Sequence, residues 1–158
     1  MSRYRSALRS PVAARLLTAQ SVNELGDFIG ITALVLLAYA HTGSVLGAGA
    51  VYAANALLKV ATASWGSTLL DGFPRRVALA GLALGGAVIM GSVALLPTFG
   101  MALLAAALLG ACRTAFVGVE AALLGEAVAA DLRGPVLALN GTINQIAQVA
   151  GILGGAAV

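Results

Sequence analysis

Charge is what this sequence has least of. Only 9% of its 158 residues are Asp, Glu, Lys or Arg, while 60% are hydrophobic. Soluble domains carry about 25% charged residues. So few charges cannot cover a water-facing surface of this size, and a mean hydropathy of +0.98 puts the chain among integral membrane proteins. Cysteine is nearly absent as well. The single Cys112 lies inside an apolar run, which excludes an intrachain disulfide. The only histidine, His41, falls in a short turn. With one His and one Cys there is no metal-ligand spacing and no nucleophile–base pair, so neither an enzyme nor a cofactor is expected. Lysine occurs once, at Lys59, beside eight arginines. The net charge of +3 does not point to nucleic acid, because the arginines lie at the ends of apolar runs rather than on one soluble face.

What the chain does have is long apolar runs. A basic cytoplasmic leader, residues 1–15, carries Arg3, Arg5, Arg9 and Arg15. Residues 16–158 then read as a five-helix transmembrane domain, with helices at about 16–40, 45–70, 77–96, 99–124 and 136–158. A run of about 20 residues at 1.5 Å each crosses the hydrocarbon core. Lipid offers no partner for free backbone groups, so each run must be helical, and the alternation of a β-barrel is lacking. The expected fold class is therefore all-α integral membrane. A signal peptide ending at Ala38-Tyr39-Ala40 is a rival reading of the first run, but Glu24 and Asp27 precede its apolar core. Arg3, Arg5, Arg9, Arg15, Arg75, Arg76 and Arg133 all fall on one side of the membrane, and the other side has no Lys or Arg. The positive-inside rule puts the N-terminus in the cytoplasm, with His41 and Thr98 outside.

Five ionisable groups lie within the runs: Glu24, Asp27, Lys59, Arg113 and Glu120. Insertion of a charge at mid-helix costs about 2.5–3.5 kcal/mol, so these groups are expected to face protein, water or one another. Helical phase groups them further. Gln20, Asn23, Glu24, Asp27 and Gly30 follow one stripe on the first helix, and Tyr52, Asn55, Lys59 and Thr62 another on the second. Gly110, Arg113 and Glu120 share a face of the fourth. On the fifth, Asn140, Asn144 and Gln148 repeat every four residues, with Gln145 beside them. The third run holds only Ser92 and is free to face lipid. Asn23, Glu24, Asp27, Asn55, Arg113, Glu120, Asn144 and Gln148 are the candidates for a hydrated substrate or proton pathway. The competing reading is packing, since Asn, Gln and Gly in membrane helices often serve only helix contacts. Packing is the better reading for Gly110, Gly118 and Gly125. Lys59 has a further alternative, to snorkel toward the interface.

The connection Leu69-Leu70-Asp71-Gly72-Phe73-Pro74-Arg75-Arg76-Val77-Ala78-Leu79 is a charged turn with two helix breakers. It resembles the loop between the second and third helices of the major facilitator superfamily, roughly G-x-L-a-D-r-x-G-R-R-x-x-L. Leu69, Asp71, Arg75, Arg76 and Leu79 match; Ser67, Gly72 and Pro74 depart. Asn23-Glu24-Leu25-Gly26-Asp27 is similar to the superfamily's first-helix segment, and Leu108 to Arg113 to its fourth helix. The run from Leu137 to Gln145, with Gly151, resembles the fifth helix of siderophore and multidrug exporters, although Gly151-Ile152-Leu153-Gly154-Gly155 lacks the proline of the efflux motif. The resemblance covers about residues 10–158. It implies a truncated N-terminal six-helix half of a major facilitator fold, which would lack its C-terminal half as a partner. It further implies a secondary active transporter of small molecules in a bacterial inner membrane, working by proton-coupled efflux, with Leu69, Asp71, Arg75 and Arg76 as a gating loop. The alternative is a small oligomeric membrane scaffold or channel, complete at this length.

Overall fold

The structure, a computed structural model, describes residues 11–65, 72–127 and 133–156. It contains five α-helices among the described residues: α1 Pro11–Thr42, α2 Val45–Thr62, α3 Arg75–Leu95, α4 Phe99–Ala127 and α5 Arg133–Ala156. Each includes a stretch long and apolar enough to cross a membrane.

Local chemistry sets the ends. α1 stops where Gly43 adopts a positive φ of 60° and its N–H donates to the Tyr39 carbonyl at 2.8 Å. Only glycine takes that left-handed turn without strain. Ser44 then caps α2, its hydroxyl accepting from the Leu46 N–H at 3.2 Å. Thr98 plays the same part for α4, accepting from the Met101 N–H at 3.3 Å. Turns fall at Gly43-Ser44 and at Pro97-Thr98, but His41, expected in the first turn, lies in the last turn of α1, which the Gly43 bend ends at Thr42.

Several boundaries differ from the sequence reading. α1 starts at Pro11 rather than Leu16, because proline at a first helical position gives up only an N–H that has no partner there anyway. α2 ends at Thr62, well before Leu70. The Thr62 hydroxyl donates back to the Leu58 carbonyl at 2.6 Å, and the Ala63 and Trp65 N–H groups make short-range turn bonds. Such back-bonding competes with the helical ladder. α3 starts at Arg75, so Arg75 and Arg76 occupy its first turn instead of a loop, following Pro74. α4 continues to Ala127 and α5 begins at Arg133, placing Pro135 in a first turn, where it is tolerated. Most of the expected leader, together with Leu69 and Asp71, lies outside the described residues.

The chain divides into two compact units, residues 1–29 with 121–158 and residues 30–120. In the first, Gly151 of α5 lies against α1: a Cβ there would sit 2.5 Å from the Phe28 Cβ and 3.2 Å from the Leu25 carbonyl oxygen. Val136, Ala147 and Gly151 are the buried positions along α5. In the second unit, α4 supplies a stripe of small residues, Ala102, Ala106 and Gly110, all buried. That stripe lets α2 approach to backbone contact, as small residues do between membrane helices. A Cβ at Gly30 would meet the Met90 sulfur at 3.6 Å, and one at Gly86 would meet Leu109 at 3.7 Å, both ordinary contact distances. Only 11% of the apolar stretch of α3 is buried, against 33% for α4.

Candidate functional site

In the unit formed by residues 1–29 and 121–158, the polar stripe of α1 centres on Glu24. It is fully buried, at 0% exposure, and Gln20 beside it is 2% exposed. The Gln20 amide nitrogen donates to Glu24 Oε1 at 2.8 Å. A carboxylate only accepts, so this contact fixes which way the Gln20 amide points. Gln20 Oε1 is consequently left buried without a hydrogen-bond partner. The next pair, Asn23 to Asp27 Oδ2, is long at 3.5 Å, and both residues are half-buried. Burial thus singles out Glu24 rather than Asp27. On α5, Asn140 Oδ1 and Asn144 Oδ1 are buried and accept no hydrogen bond. Gln148 is half-buried, and Gln145 is exposed.

In the unit of residues 30–120, Asn55 is held between helices. Its amide donates to the Ala106 carbonyl at 2.7 Å, and its own carbonyl oxygen faces Gly110 so closely that a Cβ there would collide with it. One turn on, the Thr114 hydroxyl donates to the Lys59 carbonyl at 3.3 Å and to its own helix at Gly110, 3.1 Å. The contacts rise in the same order along both helices, so α2 and α4 run parallel, with Asn55 level with Gly110 and Lys59 level with Thr114. Val51, Asn55 and Thr62 form the buried face of α2. Arg113 and Lys59 are half-buried, and Glu120 is 4% exposed. All three take part in interactions within the protein.

Sequence reasoning did not single out Thr114. Its spacing of four from Gly110 is the one signal that could have. The gating-loop residues are only partly described: Arg75 is half-buried and Arg76 exposed at the start of α3.

The outer faces of the helices are strongly apolar: Leu46 is 85% exposed, Leu95 83% and Val60 76%. Surfaces of this kind are stable in lipid and not in water. The fold and these surfaces define a multi-pass α-helical membrane protein. No protein-family model, curated protein or solved structure matches the chain.

Proposed function

We propose that the chain belongs to a secondary active transporter of small molecules, coupled to protons and working in the export direction across a bacterial inner membrane, with its N-terminus in the cytoplasm. The observation that carries this reading is Glu24, a fully buried carboxylate hydrogen-bonded to Gln20 within a candidate membrane span. A charge at such a depth costs several kcal/mol to keep, and intramembrane carboxylates mark proton and ion pathways more often than packing sites. The buried, unpartnered oxygens of Asn140 and Asn144 on α5 add polar groups that water or substrate would satisfy. The resemblance to the major facilitator superfamily points the same way, and the little-buried α3 agrees with the expectation that the third run faces lipid.

The test is reconstitution in liposomes with an imposed proton gradient, following a panel of lipophilic cations and siderophores. Saturable flux that follows the gradient and vanishes with a protonophore supports the proposal. Absence of flux for every member of the panel, or flux indifferent to the gradient, retires it.

A further inference from the structure

α5 has two opposite faces. Val136, Ala147 and Gly151 are buried on one, and Gly151 lies against α1. At about 100° per residue, Ala138, Thr142, Gln145, Val149 and Ile152 fall within an arc of about 80° on the far side of the helix. All five are exposed. Their spacing alternates four and three residues, the repeat of a coiled-coil seam.

Gln145 sets this face apart from the outer faces of the other helices. It stands at the centre of the candidate span Val136–Gly154, about 13 Å from either end at 1.5 Å per residue. A glutamine side chain is too short to reach a headgroup from there. Away from the helix ends, the exposed polar side chains in the described candidate spans are Tyr52, Thr142 and Gln145. The Thr142 hydroxyl donates to the Ala138 carbonyl of its own helix at 3.1 Å. Tyr52 is an apolar ring with one hydroxyl. Gln145 brings a whole amide, two N–H donors and a carbonyl, and it makes no hydrogen bond to another described residue. Lipid offers neither half a partner, so an amide at this depth is strongly disfavoured unless another helix covers it.

The chemistry of the amide says which helix that is. A primary amide is its own complement, because two of them side by side exchange two N–H···O bonds. Copies of one chain insert in one direction, set by the same arginines. A two-fold axis along the bilayer normal then brings the same helix of each copy together in parallel, each residue level with itself. Gln145 meets Gln145 with no further requirement on a second surface. The exposed faces of α1, α3 and α4 present apolar side chains at mid-span, such as Ile29, Leu84 and Leu108, and any of them docked on α5 would leave the amide unpaired. The spacing of four and three keeps the two seams in contact along their length.

We propose that α5 pairs two copies of the chain along this seam, closed at mid-bilayer by reciprocal hydrogen bonds between their Gln145 amides. The pairing goes beyond the transport reading and holds or fails without it.

The experiment uses the full chain in phosphatidylcholine liposomes. Thr42→Cys in a Cys112→Ser background, labelled with donor or acceptor dye, reports association as energy transfer, and dilution with lipid gives the dissociation constant. Transfer that fits a dimer is expected. Gln145→Leu should raise the dissociation constant ten-fold or more, and Gln145→Asn, which keeps an amide, should raise it less. Val149→Cys in the same Cys112→Ser background should form a disulfide-linked dimer with copper phenanthroline, whereas Leu84→Cys, 67% exposed on α3, should not. Thermal unfolding matching the parent checks that each Gln145 variant is folded, and the cross-linking decides the matter if one is not. A chain that stays monomeric at every protein-to-lipid ratio assigns the face to a helix of a different protein and overturns the pairing. So does a dimer indifferent to Gln145→Leu, a stoichiometry above two, or equal cross-linking at Leu84→Cys. Weakening by Tyr52→Phe as large as that by Gln145→Leu would replace the two-fold seam with a contact between α5 and α2, and overturns it as well.

Discussion

Asn55 donates its side-chain amide to the backbone carbonyl of Ala106 at 2.7 Å, joining two helices from positions 51 residues apart in sequence. The bond forms because Gly110, one turn beyond Ala106, presents no side chain to the Asn55 backbone. The polar contact and the bare glycine therefore depend on each other.

This dependence can be measured. Asn55→Ala should cost about 1 kcal/mol, within the range found for interhelical hydrogen bonds in membranes. Gly110→Val should cost more, about 1–3 kcal/mol or above, because its side chain meets backbone that cannot rotate away. The double variant should cost less than the sum, since the valine already separates the helices. Unfolding in mixed detergent micelles checks all three, and strict additivity would show that the two sites act independently.

A second helix contact gives a matched pair of substitutions. Gly151→Ala adds a Cβ at 2.5 Å from the Phe28 Cβ and 3.2 Å from the Leu25 carbonyl oxygen, whereas a Cβ at Gly154 meets nothing within 4 Å. Gly151→Ala should destabilise by about 1–3 kcal/mol, and Gly154→Ala should stay within about 0.5 kcal/mol of the parent. Equal effects on thermal unfolding would mean that α5 does not hold α1 through Gly151.

The existence of five helices is legible in the sequence because the apolar runs are long and the turns between them carry Gly43, Ser44, Pro97 and Thr98, each with a local reason to break or cap a helix. The end of α2 is not legible, because no breaker marks Thr62, and its hydroxyl's bond to the Leu58 carbonyl is one that Thr114 also makes in the middle of α4. The role of Asn55 is not legible either. Phase places it on a polar stripe with Lys59, but a stripe looks the same whether its members face water or another helix. Only the long-range contact to Ala106 separates Asn55 from Lys59. Glu24 and Asp27 likewise share a stripe, and only burial distinguishes them.

The proposed orientation rests on the arginines at the ends of the apolar runs. On the proposed topology, a Cys112→Ser background carrying Thr42→Cys or Thr98→Cys should react with an impermeant maleimide in intact cells, since both positions are exposed in turns or helix ends. Gly72→Cys, on the side of Arg75 and Arg76, should react only after the membrane is opened. The reverse pattern would invert the topology.

The carboxylates of α1 provide the most direct test of coupling. Glu24 is fully buried and bonded to Gln20, whereas Asp27 is half-buried and its contact to Asn23 is long. Glu24→Gln keeps the shape and still offers Gln20 an oxygen to donate to, but it removes the carboxyl group on which the proposed proton coupling rests. The variant should therefore fold normally and insert, yet lose the dependence of flux on the imposed gradient. Asp27→Asn should keep that dependence, with at most a several-fold change in rate. The readout is flux at matched substrate concentration with the gradient present and collapsed, alongside unfolding curves for both variants. A Glu24→Gln protein that still couples would assign Glu24 to packing. Coupling lost in Asp27→Asn alone would move the proton site one turn along α1.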